Sequence, residues 1–437
     1  MCINCALQKQ IVSMREDLLH FIWKYKKLRL SDLRTSQGES LSIIDFGRHN
    51  HLAGPDFFNA QIDIGGQVWA GNVEMHLKSS DWYAHHHEQD TNYNNVILHV
   101  VWEDDGDVFR KDNSLIPTLE LRKYIPLQLL QTYQSLFDRK NVHFINCEKD
   151  IGDFDDFLMK NWLERLYFER LESKAGFVFD LLKKSNNDWE QVLFTFLLKG
   201  FGLKINGAAF LSLGAALEFS IFRKQQDSIF QMESLLFGMA HLLEDDTVLD
   251  DYYIELKKEY AYQKRKYGLS DAGVQKPDFF KLRPPNFPTV RLSQLANLYA
   301  MHQSLFHKVI SAISLEELYA IFNVKASAYW DSHYTFGKES RKKAKKLTSK
   351  FVDLLVINVI LPLQFCYAKH RGVDINEQII EVISEIKKEG NTVVSNFGKM
   401  GIAPLNAKES QALLQLYNGY CTQNKCLQCV VGTNLLR

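Results

Sequence analysis

The chain has 437 residues, of which 46% are hydrophobic and 24% are charged, and its 52 basic and 52 acidic side chains balance. This composition is typical of a globular protein with room for two or more hydrophobic cores. The balanced charge excludes a strong overall positive field, so any contact with nucleic acid must come from local patches.

The sequence shows neither a secretory signal nor a clear membrane span. The N-terminal residues MCINCALQKQIVS lack a basic region followed by an apolar one, and Met14 is an alternative start. The longest apolar run, FVDLLVINVILPLQFCYA, is interrupted by Asp353, Asn358 and Pro362. Seven cysteines suit reduced thiols or a metal site better than a disulfide framework. We therefore expect a cytoplasmic protein that does not bind a membrane.

The N-terminal third predicts a mixture of helix and sheet. Residues 14–28 place apolar side chains on one stripe and predict an amphipathic helix. The segments LSIIDFG, FNAQIDIG, QVWAGNVEMHLK and NVILHVVWED have the character of strands, and PTLELRKY is a further candidate. Gly65 and Gly66 predict a tight hairpin, because glycine adopts positive φ without strain. The order predicts an α/β domain over residues 14–150, with a helix, a three-stranded β meander and a further strand.

The remainder of the chain has the period of helices. From residue 151 to 437, apolar residues recur three and four positions apart and predict a large all-α region. Pro284, Pro285 and Pro288 interrupt this pattern, since proline cannot continue a helix. One interpretation is that two helical subdomains are divided near residues 277–290.

Two acidic residues on neighbouring predicted strands form a candidate site. Glu74, His76 and Lys78 share one face of a strand, because residues two apart point the same way. Asp56 opens the preceding strand, and the glycine hairpin allows the two carboxylates to converge. Such oxygen ligands suit Mg²⁺ or Mn²⁺. The alternative is a solvated strand face that binds nothing.

This arrangement resembles the core of the PD-(D/E)XK nuclease superfamily, in which Pro-Asp opens one strand and Glu-x-Lys lies on the next. The resemblance implies a restriction-endonuclease-like fold and the hydrolysis of phosphodiester bonds. It also implies that Asp56 and Glu74 bind a divalent metal, and that Met75 offers its backbone carbonyl. Glu16 on the first helix becomes an auxiliary acid.

The sequence departs from that motif at the position of the lysine, which is His76. In this chain, His76 or Lys78 takes the role of positioning or deprotonating the attacking water.

A second resemblance covers nearly the whole chain. The strings AGPDFFNAQI, RPPNFPTVRLSQLA, YWDSHYTFG and YCTQNKCLQCVVG are similar to an uncharacterised bacterial family of conserved hypothetical proteins, which implies no activity.

A group of histidines and acids follows Glu74 in the segment SDWYAHHHEQDTNYNNVILHV. Its members are Asp81, His85, His86, His87, Asp90 and His99. Neutral imidazoles beside carboxylates bind Zn²⁺ or Mn²⁺, or act as general bases near neutral pH. In the alternative interpretation, Asp81 caps a short helix, Trp82 and Tyr93 anchor it, and His99 is a hydrogen-bonded core residue.

A cysteine cluster lies at the C-terminus. The spacing C-x4-C-x2-C is formed by Cys421, Cys426 and Cys429. Cys147 is the natural fourth ligand, with Cys2 or Cys5 as alternatives, and four thiolates suit Zn²⁺ or an iron–sulfur cluster. Some nucleases that resemble the PD-(D/E)XK type carry an iron–sulfur cluster on one distant and three C-terminal cysteines. The alternative is that these thiols are buried small residues, as we expect for Cys366.

Residues 339–350, ESRKKAKKLTSK, form a dense positive run beside aromatic residues, as a surface for a phosphate backbone would. A solvated helix face is the alternative.

Three functions follow from these patterns. The first is a metal-dependent nuclease acting on DNA or RNA, and the second is a non-catalytic nucleic-acid-binding protein that keeps the nuclease fold. The third is a ligand or protein-interaction scaffold with a β sandwich, in which the acid pair lies on the surface.

Overall fold

The computed structural model describes residues 14–138 and 144–436, so Cys2 and Cys5 lie outside the described residues. Contacts divide these residues into two units. The sheet unit contains residues 14–159 and 417–436, and the helical unit contains residues 160–416. The C-terminal residues therefore pack with the sheet, whereas the sequence alone places them at the end of the helical region.

The elements follow the order that the periodicity predicts. In the sheet unit they are α1 Glu16–Lys24, β1 Leu41–Asp45, β2 Arg48–His49, β3 Phe57–Ile64, β4 Gln67–Lys78, α2 Asp81–Ala84, β5 Val96–Glu103, β6 Thr118–Glu120 and α3 Leu127–Phe137. There follow α4 Asp156–Lys184, α5 Trp189–Phe201, α6 Leu203–Ala216, α7 Phe219–Arg223, α8 Ile229–Met239, α9 Asp251–Tyr267, α10 Pro288–Met301, α11 Leu305–Ser311 and α12 Leu315–Ile321. The last are β7 His333–Thr335, β8 Lys338–Glu339, α13 Ser349–Leu355, α14 Leu361–Arg371, α15 Asn376–Glu385, α16 Thr392–Lys399, α17 Ala407–Leu416 and α18 Val430–Leu435.

The sheet unit is organised around one mixed sheet with the strand order β1-β3-β4-β5-β6, and β2 also pairs with β3. β1, β3 and β4 are antiparallel, whereas β5 runs parallel to β4 and β6 runs parallel to β5. The predicted hairpin turns at Gly65 and Gly66, whose φ values are 62° and 90°. A sheet followed by a large helical region is confirmed. Within residues 14–138, 144–159 and 417–436 this is the one sheet, so the alternative of a β sandwich in this unit is wrong.

β4 is the centre of this unit. It lies between β3 and β5, and both α1 and α2 pack against it. α1 buries Leu18, Leu19, Ile22 and Trp23, which is the stripe that the periodicity predicts. Burying each of these side chains contributes about 1.5–3 kcal/mol. Residues 71–76 of β4 are consequently buried on both faces, including the face that carries polar side chains.

The helical unit is one contact unit, and the proline segment does not divide it. Pro288 is the first residue of α10, where its fixed φ suits a helix and its missing N–H has no partner to lose.

The basic segment 339–350 is partly structural. Lys345 is 6% exposed, and its ammonium donates to the Asp331 carbonyl at 2.8 Å.

The run Ser349–Arg371 is a continuous helical stretch of 23 residues. Its length and apolar composition would suffice to cross a membrane. The sequence analysis expected the opposite, because polar residues and a proline interrupt the run. However, 72% of its apolar window is buried inside the structure, as is typical of a core helix. Cys366, which lies in this run, is 0% exposed, so its predicted place in the core is confirmed.

Candidate metal centre

Asp56 and Glu74 face each other because of the register between β3 and β4. Phe57 pairs with Val73, which sets Asp56 across from Glu74 on the same face of the sheet. A bulge follows in β3, where Asn59 has φ 58°. Because a shift of one residue moves every side chain to the opposite face, this extra residue determines which side of the sheet receives Asp56.

The two carboxyl groups are linked through the backbone. The Asp56 N–H donates to Glu74 Oε2 at 3.1 Å, and the Met75 N–H donates to Asp56 Oδ2 at 3.0 Å. Glu74 is 5% exposed. Burial, followed by the charge of Asp56, raises the pKa of Glu74 to about 9. The polar face of β4 is therefore not a solvated face.

Three imidazoles form a group beside Glu74, and two of them contact its other oxygen. His76 Nε2 lies 3.0 Å from His85 Nδ1, and Glu74 Oε1 lies 3.3 Å from His87 Nε2 and 3.6 Å from His76 Nε2. Each imidazole offers one nitrogen within 4.8 Å of the other two. Within the part of the chain that the structure describes, these histidines are the set of three ligand residues that meets this distance.

This spacing fits a single transition-metal ion. With bonds of about 2.0–2.1 Å, neighbouring ligand atoms around a tetrahedral Zn²⁺ stand about 3.3 Å apart. The His76–His85, Glu74–His87 and Glu74–His76 contacts, at 3.0, 3.3 and 3.6 Å, bracket that value, and the three imidazole nitrogens all lie within 4.8 Å of one another. Imidazole nitrogen suits Zn²⁺, and also iron, copper and nickel, better than it suits Mg²⁺.

The electrostatics keep His76 and His87 neutral. Burial, followed by the neighbouring histidines, lowers the pKa of His76 to about 2, and burial also lowers the pKa of His87. A neutral imidazole presents the lone pair that a metal requires. His76 Nδ1 lies 2.8 Å from Nε2 of His99, which is 0% exposed and has a pKa lowered by burial to about 3. This contact orients the His76 ring from behind, as outer partners of metal ligands do.

The connection between β4 and β5 is held over the sheet by aromatic side chains. Trp82 and Tyr93 pack in a core cluster with Val96, Val108 and Ile116. The Trp82 indole N–H donates to the Phe109 carbonyl at 3.1 Å, and the ring of His87 stacks on Tyr93 at 3.8 Å. The predicted anchoring role of Trp82 and Tyr93 is confirmed, and it positions His87.

The other predicted residues of this segment lie apart from the three imidazoles. Lys78 is exposed, and its backbone N–H donates to Asp81 Oδ2 at 3.0 Å. Asp90 caps a short helical turn by accepting the Asn92 N–H at 2.9 Å. His86 is exposed, has φ 59° and lies outside the group of three imidazoles, of which His85 is exposed as well.

α1 adds two more residues to the site. Glu16 has a pKa raised by burial and by the charge of Asp56. His20 Nε2 lies 3.2 Å from Asp56 Oδ2. Burial lowers the pKa of His20, but Asp56, Glu16 and Glu74 outweigh that effect and the net pKa is raised. Sequence reasoning named Glu16 and missed His20, although the i, i+4 spacing puts both on one face of the helix.

The predicted cysteines all belong to the sheet unit. Cys147, Cys426 and Cys429 are buried, and Cys421 is partly exposed.

Comparisons with known proteins give one match. A family model described as "Protein of unknown function (DUF2851)" matches residues 16–392. This span includes α1, the mixed sheet and most of the helical unit. No curated protein and no solved structure matches the chain.

Proposed function

The chain belongs to this DUF2851 family of unknown function, and we propose that its sheet unit is a metal-dependent hydrolase of phosphodiester bonds in DNA or RNA. The observation that carries the proposal is the group of three imidazole nitrogens within 4.8 Å of one another, beside Glu74 Oε1, which lies 3.3 Å from His87 Nε2 and 3.6 Å from His76 Nε2. The resemblance to PD-(D/E)XK nucleases favours the same reaction, since Glu16 on α1, Asp56 just before β3 and Glu74 on β4 follow in the order that it implies, although the present proposal gives Asp56 a positioning role in place of metal binding.

The donor set fits one divalent ion. Glu74, His76, His85 and His87 are its ligands in this proposal, and three neutral nitrogens with one carboxylate favour Zn²⁺, with Mn²⁺ next and Mg²⁺ last. A bound cation would also favour the ionised form of Glu74, whose pKa burial and the charge of Asp56 otherwise raise to about 9. When bound, the ion supplies Lewis-acid polarisation of the phosphoryl group and activation of water.

Asp56 and His20 form a proton-transfer pair at the edge of the centre. Their side chains are 20% and 23% exposed, so water reaches both. Asp56 holds His20 in orientation and accepts the Met75 N–H with the same oxygen. In this proposal His20 takes the proton of the attacking water or donates one to the leaving oxygen. Asp56 is thus a positioning residue rather than a metal ligand.

A polyanionic substrate is supported by the basic segment 339–350. Its exposed basic side chains are Arg341, Lys342, Lys343, Lys346 and Lys350, and the segment belongs to the helical unit. Cations of this kind bind phosphate oxygens without reading sequence, so the binding weakens as salt is raised. We therefore infer a substrate recognised through its backbone rather than through particular bases.

The test uses metal-depleted protein reloaded with Zn²⁺, Mn²⁺ or Mg²⁺ and incubated with supercoiled plasmid, single-stranded DNA and single-stranded RNA. The variants are His85→Gln and His87→Gln, which remove one ligand each. The matched control is His86→Asn, which changes the histidine between them and suits its positive φ.

We expect cleavage with Zn²⁺ or Mn²⁺ by the wild type and by His86→Asn. We expect loss of cleavage, and of bound metal, in both ligand variants. Metal-loaded wild type that cleaves none of the three substrates contradicts the hydrolase. In that case salt-sensitive binding of DNA identifies the non-catalytic alternative.

A further inference from the structure

The helical unit contains a cavity of about 650 Å³. Its walls come from α4, α5, the start of α6 and the helical stretch Ser349–Arg371. The apolar part of the lining is supplied by Phe177, Phe196, Leu203, Leu354 and Val359. Cavities of this size with apolar walls and a few polar groups are typical of binding sites for small organic molecules.

The charged part of the lining is entirely basic. Lys174, Lys199 and Lys204 line the cavity, and none of the described residues that line it is acidic. Burial, followed by the charge of Arg170, lowers the pKa of Lys174 to about 7, although the charge of Glu389 raises it. Burial also lowers the pKa of Lys199. A bound anion would therefore favour the charged form of both amines.

The amine of Lys174 is held in one position by two neutral acceptors. It donates to the Ile357 carbonyl at 3.3 Å and to Asn358 Oδ1 at 3.2 Å. The side-chain amide of Asn358 donates in turn to the Leu354 carbonyl at 3.0 Å, which orients its oxygen towards Lys174. An ammonium group has three N–H donors, so the third remains for a ligand.

The amine of Lys199 lies beside the aromatic part of the wall. Its Nζ is 3.7 Å from the centroid of the Phe177 ring, and the centroids of the Phe177 and Phe196 rings are 5.5 Å apart. A cation over the face of a ring is attracted by it. The cavity thus places a positive charge next to an apolar surface.

A π-helical segment, Val356–Ile360, forms the wall that carries the two acceptors of Lys174. It joins α13 to α14 and packs against α5. The approach is close at Gly200, where a Cβ would stand 2.7 Å from Val359 Cγ2. Single π-helical turns within a longer helix occur frequently at functional sites.

The junction of α5 and α6 is a second irregular part of the wall. Leu203 has φ 53°, a left-handed conformation that is strained for a bulky residue. Strain of this kind persists only where the surrounding structure imposes it, and it is concentrated at binding and catalytic sites. Two departures from regular helix therefore shape one cavity.

We propose that this cavity binds a small amphipathic anion, with its anionic group at the amines of Lys174 and Lys199 and its apolar body against the aromatic wall. The basic lining favours an anion over a neutral molecule, and the rings favour an apolar body over a sugar or a polar metabolite. The proposal does not depend on the hydrolase, because all the lining residues belong to the helical unit.

The test is isothermal titration calorimetry of the full chain with decanoate, decyl phosphate and uncharged decanol. We expect saturable binding of the anions at a single site, and the tighter of the two identifies the anionic group as a carboxylate or a phosphate. Decanol binds at least about 10-fold more weakly, because it cannot make a charge-assisted hydrogen bond with the amines.

The variants are Lys174→Met and Lys199→Met, which keep a long side chain and remove the charge. We expect each to weaken the binding of the preferred anion by about 10- to 100-fold and to leave decanol binding nearly unchanged. Lys183→Met is the matched control, since Lys183 is an exposed lysine of α4 outside the lining, and it keeps wild-type affinity.

Photo-crosslinking of the wild type with a diazirine-bearing decanoate does not depend on how the variants fold. We expect peptide mass spectrometry to find the label within residues 173–204 and 354–359. Labels confined to other segments overturn the proposal, as does decanol bound as tightly as both anions, or unchanged affinity in both methionine variants. Binding to vesicles of anionic phospholipid without binding of the free anions assigns the lysines to a membrane surface and equally contradicts the cavity site.

Discussion

Each unit buries a glutamate, and the two differ in what surrounds them. Glu233 in the helical unit is 0% exposed, and neutral donors satisfy its oxygens. Ser293 donates to Oε1, while the Tyr252 hydroxyl at 2.6 Å and the Trp330 indole at 3.4 Å donate to Oε2. Glu74 in the sheet unit accepts one backbone N–H and otherwise faces imidazoles and a second acid.

This difference separates a structural carboxyl group from a candidate functional one. A buried acid that serves the fold is saturated by hydrogen bonds, because an unsatisfied polar group in the interior is costly. Around Glu74, atoms that can all donate an electron pair converge, which serves stability poorly but suits a cation. Local arrangements that work against stability are concentrated at functional sites.

Replacement of Glu74 by Gln gives the largest expected effect on metal binding. Glutamine keeps the shape of a carboxyl group that is already protonated at neutral pH, since its pKa is about 9. We therefore expect the urea midpoint of the sheet unit to stay near that of the wild type. Zinc affinity, measured by competition with a chromophoric chelator, falls by more than about 100-fold, because a ligand is lost. Full affinity in this variant would remove Glu74 from the centre.

Replacement of Glu233 by Ala gives the opposite pattern. It leaves Ser293, Tyr252 and Trp330 without their buried acceptor. We expect a loss of about 3 kcal/mol in the free energy of unfolding of the helical unit, measured by urea denaturation. Zinc stoichiometry stays unchanged. A variant as stable as the wild type would show that the two glutamates are not distinguished by their hydrogen bonds.

Replacement of His99 by Leu sharpens the comparison at the outer partner of His76. Leucine cannot make the contact that His99 makes at 2.8 Å with His76 Nδ1, and an apolar side chain suits this fully buried position. We expect zinc affinity to fall by about 10–100-fold, which is typical of a lost outer hydrogen bond. His86→Asn, whose site lies outside the group, retains wild-type affinity. Equal loss in both variants would point to general disruption of the segment.

The smallest expected effect is a pH dependence of stability from Glu233. Burial raises the pKa of Glu233 in the folded state, and hydrogen bonds offset only part of that rise. Its unfolded pKa is about 4.3, so its stabilising contribution is complete below that pH and is lost as pH rises through the folded pKa. The stability of the wild type relative to Glu233→Gln should therefore fall as pH increases from 4 towards neutrality. A relative stability that increases with pH has the wrong sign for this account.

Local patterns predicted the sheet, but burial of the site required the tertiary structure. Periodicity placed Glu74 and His76 on one face and Gly65-Gly66 in a hairpin. The periodicity of β4 did not show whether its polar face is solvated or covered, because the covering elements, α1 and the β4–β5 connection, lie outside the strand. The bulge at Asn59, which sets the register of Asp56, has no distinct signal in the sequence.

The choice among the three successive histidines was also beyond sequence reasoning. His85 and His87 join His76, while the middle histidine, His86, has a positive φ and lies outside the group. Three identical residues in a row do not indicate which of them belongs to a site. The sequence also did not predict that residues 417–436 pack with the sheet unit. The helical period continues into these residues, and the contact between Asn146 and Cys426 spans 280 positions.

X-ray absorption at the zinc edge of the zinc-loaded wild-type chain tests the central claim most directly. If Glu74, His76, His85 and His87 hold the ion, the spectrum shows three imidazole nitrogens and one oxygen at about 2.0–2.2 Å, and His87→Gln removes one nitrogen. A shell of sulfur at about 2.3 Å would place the ion on the cysteines and contradict the histidine centre.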